Sequence, residues 1–148
     1  MNEGESSARA QVVQPPEWPR PSGYANALLV PPGHALLVMA GQIGWNASQE
    51  LVEGGFVSQF EQALSNVRRL VEQAGGEVGH VIRLTIFVVD KLLYLDQLGA
   101  VGQAYRRVLG RHYPCMSLVE VRALVEEGAL IEIEATAALP GARDGGGT

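Results

Sequence analysis

Cysteine is all but missing from this chain: Cys115 stands alone among 148 residues. A lone thiol excludes an intramolecular disulfide and a cysteine-built metal site. Lysine is as scarce, with Lys91 the single one among 11 basic residues set against 16 acidic ones, a net charge of −5. The arginine pairs 68–69 and 106–107 fall inside helical patterns, not in a basic stripe interleaved with aromatics. Binding to nucleic acid rests on neutralising phosphates, so this balance argues for no nucleic-acid partner. The three histidines, His34, His80 and His112, lack any ligand-like spacing, and no metal is expected. No run approaches the roughly 18 apolar residues of a membrane helix. The first residues also lack a basic stretch followed by an apolar one, and the expectation is a cytoplasmic protein without a membrane partner. The sequon Asn46-Ala47-Ser48 is then fortuitous.

What the chain does contain is a globular balance, 47% apolar and 18% charged residues, in a length that suits one domain. Residues 1–22 hold Pro15, Pro16, Pro19 and Pro21 among polar neighbours. They read as a flexible N-terminal arm whose Trp18 can dock on the domain. Residues 23–140 form the domain, and 141–148, rich in glycine, a disordered tail.

Within the domain, apolar runs at 27–30 and 35–40 flank Pro31-Pro32-Gly33-His34 and predict a β-hairpin. The glycines of Gly41-Gln42-Ile43-Gly44 suggest a bend or a close backbone approach. Phe60, Ala63, Leu64, Val67, Leu70, Val71 and Ala74 step by three and four, a helix over 56–74. Ser58 and Glu61 match a capping box and Gly75-Gly76 a stop. Residues 81–89 read as a central strand. Leu95, Leu98, Val101, Ala104, Tyr105 and Val108 mark a second helix closed by Gly110, in which Gly99 and Gly102 permit close packing. Strands at 116–124 and 129–139 complete β-β-α-β-α-β-β, an α+β fold with a mixed sheet and two helices on one face.

That layering leaves the other sheet face open. Glu132 and Glu134 alternate with Ile131, Ile133 and Ala135, while Met116, Leu118, Glu120 and Arg122 alternate with Ser117, Val119 and Val121. Each strand has an apolar face and a mixed one. The mixed faces are too apolar for solvent and are expected against another subunit.

Several short motifs stand in a telling order. Gly23-Tyr24 precedes the first hairpin, Ala40-Gly41-Gln42-Ile43 follows it, and Gln62-Ala63-Leu64-Ser65-Asn66-Val67 lies in the first helix. Leu84-Thr85-Ile86-Phe87-Val88, Tyr113-Pro114-Cys115-Met116-Ser117-Leu118-Val119-Glu120-Val121 and Ile131-Glu132-Ile133-Glu134-Ala135 occupy the later strands. Over residues 23–139 the chain resembles the Rid (YjgF) family. The resemblance implies a chorismate-mutase-like fold and a homotrimer whose sheets close a central β-barrel, with small-molecule ligand pockets between subunits. It also implies cofactor-independent hydrolysis of reactive imines and enamines, released by pyridoxal-phosphate enzymes, to ketoacid and ammonia.

Taken residue by residue, the resemblance assigns Tyr24 and the Gly41 N–H to the pocket and Glu132 to the positioning of water. The family's substrate-anchoring arginine, two residues after the proline, corresponds to Met116, and a cysteine two residues further on to Leu118. Its serine before Gly-Gln is Ala40, and an asparagine of the second helix falls at Gly102. Methionine replaces a bidentate, charge-assisted carboxylate partner with polarizable apolar surface. The expected function is therefore an imine or enamine deaminase acting on a reactive intermediate that is not a simple 2-imino acid. Glu132 is its catalytic group; Tyr24, Gly41, Met116 and Leu118 bind the substrate. The alternative is a non-catalytic trimer that binds a small metabolite in a regulatory role, with Glu132 in an interfacial ion pair, for instance with Arg122. Arg122 shares a strand face with Met116 but lies too far along to replace its cation within one subunit. Cys115 reads as a small buried hydrophobe rather than a nucleophile. Trp45 and Asn46 read as a loop aromatic over the core with its neighbour, or as a pocket wall.

Overall fold

In chain order the computed structural model, which describes residues 9–141, holds β1 (Gln11–Val13), β2 (Ala27–Leu29), β3 (His34–Ile43) and α1 (Phe56–Gln73). A 3₁₀ turn at Val78–His80, β4 (Val81–Val88), α2 (Lys91–Leu95), α3 (Leu98–Leu109), β5 (Cys115–Glu120) and β6 (Ile131–Pro140) follow. The main sheet runs β3-β6-β4-β5, antiparallel except for the parallel pair β4–β5. This is the mixed α+β arrangement expected. No helix among the described residues is long and apolar enough to cross a membrane.

The core lies between one face of this sheet and the helices. From β4 come Leu84, Ile86 and Val88; from β6, Ile131, Ile133, Ala135 and Ala137; from α1, Phe56, Phe60, Ala63, Leu64, Val67 and Val71. α3 adds Val101, Ala104, Tyr105, Val108 and Leu109. Period-two burial in the strands and period-3.6 burial in the helices meet at this single layer. Gly44 lets α1 approach closely, since a Cβ there would stand 2.6 Å from the Gln59 Cα. Gln59 is itself buried and ties α1 to the chain entering β6: its Nε2 donates to Gly128 O at 3.0 Å, and its Oε1 accepts from Leu130 N–H at 2.8 Å. Asn66 of the same helix donates to the carbonyls of Ile43 (3.3 Å) and Trp45 (2.9 Å). α1 ends in a Schellman motif: Gly75, at φ +88°, donates to Glu72 O and Gly76 to Val71 O.

Several expectations need correction. The 27–30 strand pairs with β1, not with β3: Gln11, Val12 and Val13 lie opposite Leu29, Leu28 and Ala27. Pro31 and Pro32 carry no N–H, which deprives the intervening turn of ladder donors. The same pairing shows that residues 11–13 of the presumed flexible arm form a strand, and Asn26 Nδ2 also donates to Gln14 Oε1 at 2.7 Å. Residues 1–8 of that arm and 142–148 of the presumed tail lie outside the described residues.

Ser58 is not the cap of α1. Gly54 and Gly55, at φ +108° and +84°, turn the chain into the helix at Phe56. The second helix is broken: Asp90 caps α2 by accepting from Leu92 N–H at 2.9 Å, and α3 restarts at Leu98.

Finally, β5 ends at Glu120, so Arg122 lies in the following loop rather than on a strand face. Register with β4 (Leu84 opposite Met116, Ile86 opposite Leu118) turns Met116 and Leu118 toward the helices. The open face of β5 therefore carries Ser117 and Val119, which lie opposite Thr85 and Phe87. The open sheet face exists, and on β3 it exposes Leu36 (65%) and Val38 (76%).

Candidate functional site

Two recesses hold the candidate residues, one on each face of the sheet. The larger, about 830 Å³, lies between α3 and β5. Tyr24, Met116 and Leu118 line it together with Phe60, Ile86, Tyr94, Val101, Gly102, Tyr105, Arg106 and Tyr113. The segment before β2 reaches it because Ala25 N–H donates to Pro114 O at 3.1 Å, which docks Tyr24 beside the start of β5. Tyr105 and Tyr113 stack with ring centroids 5.4 Å apart and planes within 6°. The Tyr105 hydroxyl donates to His112 O at 2.6 Å. Burial, reinforced by the adjacent Tyr113, pushes the Tyr105 phenol well above its usual range, so it stays a proton-bearing donor. The recess is thus apolar and aromatic, and its volume falls in the range usual for small-molecule pockets.

Gly41 and Glu132 belong to the smaller hollow, about 240 Å³, on the open face, with Ile43, Trp45, Leu124, Val125 and Glu126. A β-bulge between Met39 and Gln42 places one extra β3 residue opposite β6. Gly41 sits in that bulge, and the Glu132 side chain lies across it: a Cβ at 41 would stand 2.7 Å from Glu132 Cδ. Among the described residues the Glu132 carboxylate has no hydrogen-bond or ion-pair partner, Arg122 included. Trp45 forms a wall of this hollow. The Asn46 side chain instead accepts from Ser48 and Glu50 N–H within its own loop.

Tyr24, Met116 and Leu118 are therefore brought together, Gly41 and Glu132 are brought together, and one subunit does not unite the two groups. Reading from sequence missed Tyr94, Tyr105, Tyr113 and Arg106. Their signal was the i, i+4 spacing of Gly102 and Arg106 on one helix face and the aromatic residues bracketing the turn into β5. Cys115 is half-buried, and His112 Nε2 is engaged with Val81 O at 2.6 Å rather than with the thiol.

An aromatic cavity and a carboxylate hollow lie on opposite faces of a mixed, helix-backed sheet in a small α+β domain. The chain belongs to the endoribonuclease L-PSP family, that of the Rid (YjgF) proteins, which it matches over residues 22–139. It is 30% identical over 134 residues to the 2-iminobutanoate/2-iminopropanoate deaminase of Capra hircus, covering 89% of this chain and 92% of that one. It is 34% identical over 105 residues to the enzyme of the same name from Escherichia coli strain K12, covering 69% and 78%. Among solved structures, the conserved Rid-family protein YyfB of Yersinia pestis, itself of unknown function, superposes with TM-score 0.77 at 33% identity, covering 88% of this chain and 99% of that one.

Proposed function

We propose that this protein is an imine or enamine hydrolase that releases ammonia, and that its substrate is not a simple 2-imino acid. The names of the curated relatives support the reaction class. The observation that carries the reading is the unpartnered Glu132 carboxylate lying across Gly41. Such a group can accept a proton from water as the oxygen adds to the C=N carbon and pass it to the imine nitrogen, then take the hydroxyl proton of the resulting carbinolamine and deliver it to that nitrogen as the C–N bond breaks to give carbonyl and ammonia. The Gly41 N–H beside it supplies a donor for a ligand oxygen. Met116 and Leu118 present the substrate with apolar surface where a carboxylate would need a cation.

The working unit in this proposal is a homotrimer. The open sheet face with Leu36 and Val38 is the surface a second subunit covers. Assembly then brings the Tyr24–Met116–Leu118 cavity of one chain to the Gly41–Glu132 hollow of another. A second reading, a trimer that binds a metabolite without turnover, is favoured by one observation: within a subunit Glu132 and Met116 face opposite sides of the sheet.

The test is ammonia release from 2-iminopropionate generated in situ, and from bulkier imines, by the protein and its Met116→Arg and Glu132→Gln variants. Expected are negligible release from 2-iminopropionate, a gain with Met116→Arg, and turnover of a bulkier imine that Glu132→Gln lowers by about a hundredfold or more. No ammonia from any imine with any of the three proteins would establish the binding reading instead.

A further inference from the structure

Among the described residues one cation reaches the aromatic cavity, and it comes from a helix. Arg106 projects from α3 into the wall that also holds Tyr94, Met116 and Leu118, and that wall contains no carboxylate. Two nearby arginines, Arg107 and Arg68, are occupied. Arg107 grips Glu61 with both Nε (2.8 Å) and Nη2 (2.9 Å). Arg68 holds Glu72 Oε1 at 2.6 Å and donates to Val108 O at 3.1 Å. Arg106 has no such partner among the described residues. Its guanidinium lies back over Gly102, one turn earlier, where a Cβ would stand 3.3 Å from Nη1. The missing side chain at 102 thus leaves room for the guanidinium at the cavity edge.

We propose that Arg106 is the anion anchor of this cavity, and that the ligand is an elongated organic anion. Its carboxylate sits at Arg106 on the α3 side, and its apolar or aromatic body lies against Met116, Leu118 and the Tyr105–Tyr113 stack. A guanidinium meets a carboxylate through two parallel N–H donors, so the anchor is directional as well as charged. The Tyr105 hydroxyl is committed to His112 O and does not compete for the anion. This deepens the hydrolase reading and rests on it only for the identity of the reacting group: the C=N carbon lies away from the carboxylate, which suits an apolar Met116.

The test is calorimetric binding of two probes of equal shape, 3-phenylpropionate and its neutral amide 3-phenylpropionamide, to the full chain. The protein should bind the anion about tenfold or more tighter than the amide, the range of a charge-assisted hydrogen bond. Arg106→Gln should erase that preference, weakening the anion far more than the amide. Arg106→Lys should keep part of it, and Arg107→Gln all of it. Thermal unfolding of each variant checks folding. Equal binding of both probes by the parent protein overturns the proposal. So does a preference that survives Arg106→Gln, one that falls equally in Arg107→Gln, or no binding of either probe. A charge preference without ammonia release sinks the hydrolase reading and leaves the anchor standing. Ammonia release indifferent to Arg106 does the reverse.

Discussion

The two recesses of this molecule are cut into opposite faces of one sheet and built from contrasting materials. Behind the sheet, helices roof a cavity of tyrosine, methionine and leucine with one guanidinium at its edge. In front, a shallow hollow sets two carboxylates, Glu126 and Glu132, among Trp45, Val125 and a bulged glycine strand. The rear cavity shares residues with the core, as Phe60 and Tyr105 do, so its shape is inseparable from stability. Of the residues lining the front hollow only Ile43 is buried. The hollow's other side chains are correspondingly free to be chosen for chemistry, and in the proposed mechanism they are.

The contrast can be broken most violently at Phe60, which is 2% exposed. Phe60→Ala should cost about 3–5 kcal/mol of stability, measured by urea unfolding, because it opens a void shared by core and cavity. On the front face the comparable lesion acts on assembly. Val38→Glu, at a position 76% exposed in one subunit, should leave the circular dichroism spectrum intact and reduce the mass seen by light scattering from three chains to one. A mass of one chain for the parent protein would refute the trimer.

Gly41→Ala sharpens the comparison further. The new methyl displaces the flexible Glu132 side chain. Ammonia release should fall about tenfold or more, as expected when a general base loses its position. Stability should change little, because only the end of a flexible side chain has to move.

The smallest effect concerns the roof. Glu61 of α1 and Arg107 of α3 join the two helices, and the hydrogen bond and charge of Arg107, opposed by slight burial, hold the Glu61 carboxyl below its ordinary 4.5. A depressed folded value stabilises above the unfolded one and fades as pH falls through it. Urea midpoints of the protein and Glu61→Gln should therefore differ slightly above pH 4.5 and converge in acid, the pair being exposed and screened.

Much of this architecture was legible in the residues. The apolar stripe of α1, the runs of β4 and β6 and the glycine stop at 75–76 are local patterns that burial turns directly into structure. Gly41 and Gly44 were legible as points of close approach, and they serve a bulge and a helix contact respectively. What escaped was set by distant partners. β1 is three residues long and exposed throughout, so no alternation announces it. The β5 residues show that Met116 and Leu118 share a face but not which one; parallel pairing with β4 decides that. The separation of Glu132 from Met116 follows from that same choice.

The middle strand of the main sheet, β6, comes after all its neighbours in the chain. Without it β3 has no partner in the main sheet and β4 is left with β5 alone. The Gln59 amide on α1 holds the chain entering this strand, with a donor for Gly128 and an acceptor for Leu130. A slip of one residue there would bury Glu132 and Glu134 and expose Ile131 and Ile133. A helix side chain thus acts as an alignment mark for the strand that joins the two sides of the sheet.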